Sequence, residues 1–324
     1  MTRTTRILVI ASVMTDMTVV LDRVPADGET VQGRSFAIGC GGKGANQAVM
    51  AALLGADVDV VACVGDDSFG EQAAHNLESF GVGAAGVRVV PGIPTGVAPI
   101  WVDATGGNRI VIVPGANLEM TVEQVDAAFE GETPDVVICQ LEVPLACVRR
   151  ALERGRAVAA ITLLNPAPAV PVPTEVLQLA SWLIPNESEF ETLIEQELGR
   201  RPDRELENCV RALARALGTR LAVTVGERGA LVCDRPQDGV TRLVKAVAAT
   251  AVDTSGAGDA FVGAFAYALG CGASGTEAAA LACACASDSV TRAGTQASFP
   301  RGARLASLAE RLTTPSLSPT LPQE

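Results

Sequence analysis

Short, nearly continuous apolar runs alternate along the chain with segments in which apolar residues recur at helical spacing. The apolar runs predict strands at residues 6–13, 58–64, 135–140, 157–163, 181–184, 221–225 and 230–233. The helical spacing predicts helices at residues 43–55, 68–80, 121–130, 144–154, 187–196, 203–217, 257–269, 275–292 and 302–311. Continuous apolar strands are buried on both faces, so this alternation predicts a three-layer α/β/α core with a mostly parallel sheet.

Two regions, residues 16–40 and 95–114, depart from this alternation. They contain short strand-like pieces at 17–21, 34–38, 95–102 and 108–113, the last two reading as a hairpin. We expect these pieces to form a small β-sheet that acts as a lid over the larger layer. The final residues, 313–324, are rich in Pro, Thr and Ser and offer little to bury. We therefore expect one folded domain at 1–312 and a disordered tail at 313–324.

Composition and charge narrow the classes of partner. Apolar residues make up 48% of the 324 residues, which is ample for a large core, and the net charge is −12. An acidic chain without long basic runs is a poor match for nucleic acid. No apolar stretch approaches the ~20 residues of a membrane span, and the N-terminus does not resemble a signal peptide. We expect a cytoplasmic protein that binds neither membrane nor nucleic acid.

The cysteines and the single histidine limit the chemistry. The nine cysteines are scattered mostly among apolar neighbours, as buried free thiols are. His75 lies in a predicted surface helix, which excludes His-based catalytic triads and disfavours a zinc site. The chemistry must therefore rest on carboxylates, lysines, backbone groups and bound ions.

The motif VDTSGAGDAF, at residues 252–261, carries the clearest chemical signal. Gly256, Ala257 and Gly258 have almost no side chains, so their N–H groups at a helix N-terminus are open to an anion such as a phosphate. Asp259 follows in the first turn, where it would repel that anion. A carboxylate there suits a general base that acts on a hydroxyl beside a phosphate. The alternative is an ordinary helix start with glycines in a turn.

The motif CGGKGANQA, at residues 40–48, also places glycines before a helix. Lys43 and Asn46 lie three residues apart, on one face of the first helical turn. A lysine and an amide suit a polyhydroxylated ligand, which needs fixed donors and acceptors. The string fits neither the P-loop nor the dinucleotide fingerprint. The alternative is again a simple helix start with a glycine turn.

Two further motifs follow predicted strands. In PNESE, Asn186 and Glu189 could form a capping box, or could orient a hydrated Mg²⁺ on nucleotide phosphates. In TVGERG, residues 224–229, glycines join two strands and could seat the phosphates or ribose of a nucleotide.

The motifs GGKGANQA, PNESE, TVGERG and DTSGAGDAF, in this order and at these distances, resemble the ribokinase family of carbohydrate kinases. The resemblance covers about residues 5–311 and includes the segments ACVGDDSFG, PGANLEMT, QLEVPL, LNPAPA and VTRAGTQASFP. It implies a parallel α/β core with a β-sheet lid, and a homodimer formed through the lid sheet. It also implies ATP as phosphate donor, with Mg²⁺ and K⁺ as cofactors.

The resemblance assigns a role to each matching residue. Asp259 would be the general base, and the N–H groups of Gly256, Ala257 and Gly258 would hold the transferred phosphate. The sugar ligands would be Asp16, Gly42, Lys43, Asn46 and Glu142. The residues serving the nucleotide and Mg²⁺ would be Asn186, Glu189, Thr224, Gly226, Gly229 and Gly258, with Glu189 reaching the metal through water. The loops holding K⁺ would contain Asp253, Ser255, Ser289, Arg292, Gly294 and Ser298.

Two positions depart from the family pattern. The sugar-floor motif S-x-N-x-D reads SVMTD at residues 12–16, with Met14 in place of asparagine. A sugar hydroxyl left unpaired against methionine would cost about 1–3 kcal/mol. We therefore expect 2-deoxy-D-ribose to be the preferred substrate and D-ribose to be accepted too. Cys283 stands near the adenine position, where a polar residue is common in the family.

Three alternatives to a deoxyribose kinase stay open from the sequence. The first is a kinase specific for D-ribose, in which Met14 does not face the 2-position of the sugar. The others are a nucleoside kinase of the same family and a sugar-binding protein without catalysis. The intact Asp259 and glycine motif favour an active pentose kinase over the last of these.

Overall fold

The computed structural model describes residues 4–104, 107–202 and 205–310. Their strands are β1 (Arg6–Ile10), β2 (Met14–Val20), β3 (Ser35–Gly41), β4 (Asp57–Gly65), β5 (Val82–Val90), β6 (Gly96–Val102), β7 (Asn108–Ile110), β8 (Val136–Cys139), β9 (Ile161–Leu164), β10 (Trp182–Leu183), β11 (Arg220–Thr224), β12 (Ala230–Cys233) and β13 (Arg242–Val244). Their α-helices are α1 (Lys43–Leu53), α2 (Ser68–Ser79), α3 (Val122–Ala127), α4 (Leu145–Ala157), α5 (Thr174–Leu177), α6 (Glu187–Leu198), α7 (Leu206–Leu217), α8 (Ala257–Gly270), α9 (Gly275–Ser289) and α10 (Gly302–Ala309).

The larger sheet has nine strands in the order β13-β12-β11-β10-β9-β8-β1-β4-β5. Pairing is parallel from β5 to β11, and β12 and β13 are added antiparallel at one edge. Helices cover both faces. One core cluster includes Phe265 of α8 and Leu281 of α9, and the other includes Leu152 of α4 and Phe190 of α6. This confirms the predicted three-layer core with a mostly parallel sheet.

Several predicted boundaries were wrong. The strand predicted at 157–163 begins only at Ile161, because α4 continues through Ala157. The strand predicted at 6–13 ends at Ile10, because residues 11–13 form the connection to β2, which begins at Met14. Strands β5 and β13 and the short helix α5 were not predicted. β5 is interrupted by two glycines and an arginine, so its sequence, VGAAGVRVV, lacks a continuous apolar run.

A second, smaller sheet of four strands has the order β3-β2-β6-β7. β2 pairs parallel with β6, whereas β3 and β7 pair antiparallel with their neighbours, so β6 and β7 form the predicted hairpin. Met14, Ala98 and Ile100 lie on one face and are buried. Phe36 and Ile38, on β3, lie on the opposite face and are 61% and 48% exposed. The sheet is thus the lid-like element that the sequence predicted.

Further expectations concern the cysteines, the membrane and the tail. Cys271 is exposed and Cys40 is half-buried, and the other cysteines are buried free thiols. None of the helices in the described part of the chain is long and apolar enough to cross a membrane. The predicted tail at 313–324 and two residues of the β6–β7 turn, 105–106, lie outside the described residues.

Candidate active site

Asp259 lies in the first turn of α8 and is 8% exposed. Gly256 precedes the helix in the left-handed region, at φ 74°, so the chain can turn sharply into α8. The Nδ2 of Asn46 donates to Oδ2 of Asp259 at 2.8 Å, and the Nε2 of Gln47 donates to Oδ1 at 3.1 Å. Burial raises the pKa of Asp259, against the charge of Lys43 and these two hydrogen bonds. A raised pKa and a fixed carboxylate both suit a general base.

Asn46, which the sequence assigned to a sugar, contacts the candidate base in this structure. Its Nδ2 donates to Asp259, and its Oδ1 accepts a hydrogen bond of 2.9 Å from the Nε2 of Gln296. Because Gln296 fixes the orientation of the Asn46 amide, Asn46 positions Asp259 and keeps one Nδ2 hydrogen for a ligand.

Sequence reasoning missed a buried network of amides behind Asp259. The Oε1 of Gln47 accepts from Nε2 of Gln140 at 2.8 Å, and the Nε2 of Gln47 also donates to Oδ1 of Asn165 at 3.1 Å. The Nδ2 of Asn165 donates to the backbone carbonyl of Ile184 at 2.8 Å. In the sequence, these residues could have been noticed as polar positions within the motifs GGKGANQA, QLEVPL and LNPAPA. Buried amides that are hydrogen-bonded to one another fix the geometry of the group that they contact, although Oε1 of Gln140 has no partner among the described residues.

The N-terminus of α1 is held by Glu142 and Ser12. The Oε2 of Glu142 accepts from the hydroxyl of Ser12 at 2.6 Å and from the N–H of Lys43 at 3.2 Å. A Cβ on Gly44 would lie 2.3 Å from the Cα of Ala11, so only glycine allows this approach. Burial raises the pKa of Glu142, against the charge of Lys43 and the hydrogen bonds of Ser12 and the Lys43 backbone. Gly44 is therefore required for α1 to begin this close to Ala11, and this start of the helix places Lys43 at the site.

The charge of Lys43 interacts with the charges of four carboxylates, those of Asp259, Glu142, Glu189 and Asp16. Burial lowers the pKa of Lys43, but the charges of these carboxylates outweigh it, so the pKa is raised overall. Lys43 is therefore a cation at neutral pH. It is positioned to neutralise acidic groups and a bound anion.

Asp16 extends from the lid sheet into this cluster. A Cβ on Gly41 would lie 2.3 Å from Oδ1 of Asp16, so the glycine makes room for the carboxylate. Burial raises the pKa of Asp16 from 3.8 to about 6, although the hydroxyl of Thr295, which donates at 3.1 Å, lowers it. Since the folded protein binds this proton more tightly than the unfolded chain, the contribution of Asp16 to stability falls as pH rises from 3.8 to about 6.

Asn186 and Glu189 form the capping box of α6, as one interpretation of PNESE predicted. The side chain of Asn186 accepts from the N–H of Glu189 at 2.9 Å, and Oε2 of Glu189 accepts from the N–H of Asn186 at 2.8 Å. Glu189 also lines the cleft at Asp259, and burial raises its pKa. Capping therefore does not remove Glu189 from the site.

Two cavities meet at the N-terminus of α8. The smaller, of about 180 Å³, is lined by Lys43, Glu189 and Asp259. The larger, of about 640 Å³, is lined by Gly226, Gly229, Phe261 and Cys283 among others. Both are also lined by Thr224 and Gly258. The first-turn N–H groups of α8, which have no intrahelical acceptor, thus lie where a group shared between the two cavities would sit.

The larger cavity is bounded by the turn from β11 to β12. Gly229 adopts φ 109°, and a Cβ there would lie 2.0 Å from the carbonyl oxygen of Val244. Cys283 is buried, and burial raises its pKa to about 12, so it forms a neutral, weakly polar wall. The structure therefore brings together the residues that the sequence assigned to a nucleotide, Thr224, Gly226, Gly229 and Cys283.

The loops at 252–256 and 290–298 are tied together by Asp253. Its Oδ1 accepts from the N–H of Ser255 at 2.9 Å, and its Oδ2 accepts from the N–H of Gly294 at 2.8 Å. The guanidinium of Arg292 donates to the carbonyl of Ser298 at 2.9 Å, and the hydroxyl of Ser289 donates within α9. The oxygen atoms in these loops are those of the Asp253 carboxylate and of backbone carbonyls, and backbone carbonyls are the ligands that K⁺ channels present.

Protein side chains can hold a metal ion directly or through its bound waters. Across the described ranges, no group of three or more His, Cys, Asp or Glu side chains is arranged to hold a metal ion. Mg²⁺ usually keeps several waters and takes one or two carboxylates together with substrate phosphates. Glu189 at the cleft fits that mode of binding.

Comparison with known proteins places the chain in a family. Residues 4–301 match the model of the pfkB family of carbohydrate kinases. The chain is 40% identical to a deoxyribokinase of Salmonella typhi over 91% of this chain and 95% of that protein. A ribokinase structure from Thermotoga maritima superposes with a TM-score of 0.83 at 33% identity, over 95% of this chain and 99% of that one. A ribokinase of Arabidopsis thaliana in complex with ribose and ATP gives 0.82 at 30%, over 96% and 100%. The chain therefore belongs to the pfkB family of carbohydrate kinases.

Proposed function

We propose that this kinase transfers the γ-phosphate of ATP to the 5-hydroxyl of 2-deoxy-D-ribose, and accepts D-ribose as a poorer substrate. The observation that carries the proposal is the position of Asp259, buried between two amide donors beside the first-turn N–H groups of α8. The relatives support it, since a deoxyribokinase is 40% identical and an Arabidopsis ribokinase binds ribose and ATP.

The residues of the site have separate roles in phosphoryl transfer. Asp259 accepts the proton of the 5-hydroxyl as that oxygen attacks the γ-phosphorus, and the bond from this phosphorus to the β–γ bridging oxygen breaks, so that ADP leaves. The N–H groups at the start of α8, those of Gly256, Ala257 and Gly258, face the charge that develops on the transferred group. Lys43 adds a positive charge at the same point. Mg²⁺, held through water by Glu189 on the ATP phosphates, would supply further charge neutralisation.

The sugar ligands are proposed on the lid side of the cleft. Asp16 and Glu142 offer carboxylate oxygens to hydroxyl groups, and Lys43 and Asn46 offer donors. Gly42, at φ 90°, lets the backbone pass close to the sugar. Asn186, Thr224, Gly226 and Gly229 would serve the nucleotide on the other side of the α8 terminus.

Met14 is proposed to set the preference for deoxyribose. It lies two residues before Asp16 on β2, so the two side chains share a face of the lid sheet. Met14 is 2% exposed and clusters with Ala98 and Ile100, and the three side chains offer no hydrogen-bond donor and no acceptor stronger than the thioether sulfur. A 2-hydroxyl against this apolar wall would lose its hydrogen bonds.

The first experiment compares kcat/KM for the two sugars in wild type and in Met14→Asn. We expect wild type to prefer deoxyribose by about 10–100-fold, since an apolar pocket rejects an added hydroxyl only modestly. Met14→Asn should shift the ratio toward ribose by about tenfold or more. The matched control is Met17→Asn, because Met17 lies on the opposite face of β2.

The possible outcomes of this comparison identify the substrate and test the role of Met14. A preference of wild type for ribose would make the protein a ribose-specific kinase in which the substitution at position 14 is tolerated. An equal shift in Met14→Asn and Met17→Asn would remove Met14 from the discriminating role. Turnover of neither sugar would direct the search to nucleosides.

A monovalent cation is proposed at the loops that Asp253 joins, with Ser255, Ser289, Arg292, Gly294 and Ser298 lining it. We expect activity in K⁺ to exceed activity in Na⁺ by several-fold at equal ionic strength, because a rigid set of carbonyls distinguishes the two ions. The cation would also order the loop that leads into α8. Steady-state rates in KCl and NaCl test this, and equal rates in both salts would argue against the site.

A homodimer is proposed through the outer face of the lid sheet, in a cytoplasmic protein. Phe36 and Ile38 are large exposed apolar side chains on this face, and a second copy would cover them. We expect Ile38→Lys to shift the sedimentation coefficient from that of a dimer to that of a monomer. Val240→Lys, at another apolar residue that is 47% exposed, is the control. A monomeric wild type would overturn the proposal.

A further inference from the structure

A groove lined with arginines lies at the ends of the strands of the large sheet that are opposite the active site. Arg220, the first residue of β11, is in this groove, whereas Thr224, the last residue of that strand, lines the active site. Four residues of extended strand separate them by about 13 Å. The groove has a volume of about 660 Å³ and shares none of its lining residues with the two cavities at α8.

The groove is strongly basic in an acidic protein. It is lined by the side chains of Arg156, Arg215, Arg220 and Arg235 and by a single carboxylate, that of Asp234. The Oδ2 of Asp234 accepts the N–H of Gly275 at 3.0 Å, so this oxygen is engaged at the start of α9. Four cations, from the ends of two helices and two strands, thus converge in a chain whose net charge is −12.

Neutral groups hold these arginines in place. The Nη1 of Arg156 donates to the carbonyl of Gln178 at 2.8 Å, and the Nε of Arg215 donates to the carbonyl of Pro236 at 3.3 Å. Arg220 lies over the ring of Trp182, 5.7 Å from its centroid. Such contacts orient a guanidinium but leave its positive charge uncompensated. Within the described residues, Arg235 alone of these four arginines forms an ion pair, with Asp238 at 3.7 Å.

We propose that this arginine groove is a second binding site, for a small molecule that carries an oligophosphate chain. The planar fork of a guanidinium matches phosphate oxygens in two-point hydrogen bonds, and several forks in one groove favour linked phosphates over a single anion. The hydroxyl of Ser181 adds a neutral donor at the same groove. The volume admits either an inorganic oligophosphate or a nucleotide.

The test is a calorimetric titration of the full-length protein with inorganic tripolyphosphate, with the active site saturated by deoxyribose and a non-hydrolysable ATP analogue. We expect one saturable site with a Kd in the micromolar range. The triple variant Arg156→Gln/Arg215→Gln/Arg220→Gln should weaken binding by about 30-fold or more. The control, Arg23→Gln/Arg149→Gln/Arg201→Gln, removes the same charge from exposed positions and should change Kd by less than about threefold.

The remaining measurements identify the preferred ligand and distinguish a loss of binding from a loss of folding. Titration with orthophosphate and with a second equivalent of the ATP analogue decides whether a bare phosphate chain is enough or a nucleotide is preferred. The melting temperatures of both triple variants show whether each is folded. Equal weakening in the two variants would mean diffuse charge attraction and would overturn the proposal, as would the absence of saturable binding to wild type at millimolar tripolyphosphate.

Discussion

Asp259→Asn is expected to lower kcat by about 10²–10⁴-fold while the Kd for the sugar stays nearly unchanged. The substitution keeps the shape of the side chain and removes its ability to accept the proton of the 5-hydroxyl. In wild type both oxygens of Asp259 accept a hydrogen bond, one from Asn46 and one from Gln47. The NH₂ group of the new asparagine would therefore face one of these two donors. Steady-state kinetics with ATP and calorimetric binding of the sugar measure the two effects separately.

The new donor–donor contact predicts a side effect on stability of about 1–3 kcal/mol. Asp57→Asn is the matched control, because Asp57 is an exposed residue at the other end of the parallel strands. The control should retain both kcat and melting temperature. A variant Asp259→Asn with the kcat of wild type would exclude Asp259 as the base. A loss of sugar binding equal to the loss of kcat would make it a ligand instead.

Lys43→Met is expected to destabilise the protein by about 3 kcal/mol at pH 8 and to lower kcat/KM by about 10²-fold. Lys43 is the cation that faces Asp259, Glu142, Glu189 and Asp16, so its removal leaves four carboxylates repelling one another. Its raised pKa means that the stabilisation is fully present below pH 10.5 and disappears only above the folded-state pKa.

The stability defect of Lys43→Met should depend on pH in a defined direction. The pKa of Asp16, already raised to about 6, will rise further without the lysine, so this carboxyl is protonated as pH falls. The difference in free energy of unfolding between variant and wild type should therefore shrink between pH 8 and pH 5. Lys245→Met, at the only other lysine of the chain, is the control and should show no such convergence. A difference that is constant over this pH range would place Lys43 outside the carboxylate cluster.

Much of the site could be predicted because its residues lie in short motifs. Gly256, Ala257, Gly258 and Asp259 are consecutive, so their relation to a helix N-terminus follows from local geometry alone. The same holds for the capping pair Asn186 and Glu189. Local spacing could not reveal that Asn46 and Gln47, more than 200 residues earlier, hold the carboxylate of Asp259. That contact depends on how α1 packs against α8.

The close packing of these two helices also depends on a residue without a chemical role. A Cβ on Gly263 of α8 would lie 2.5 Å from the carbonyl oxygen of Gln47, so glycine lets α8 approach α1. The sequence shows a glycine inside an apolar helix but not the helix that it faces. Positions of this kind become interpretable only once the partner element is known.

The sequence by itself determined the alternation of strands and helices, the strand pieces of the lid and the motifs of a carbohydrate kinase, because each follows from the order of residues within about ten positions. The alternation in turn predicted the three-layer core. Tertiary structure alone decided three other features. It joined Lys43 to four carboxylates from separate elements, paired the amides behind Asp259, and gathered four arginines from α4, α7 and the ends of β11 and β12. These features require residues distant in the chain to meet, and the contacts among buried helices and strands, rather than local propensity, decide which of them do.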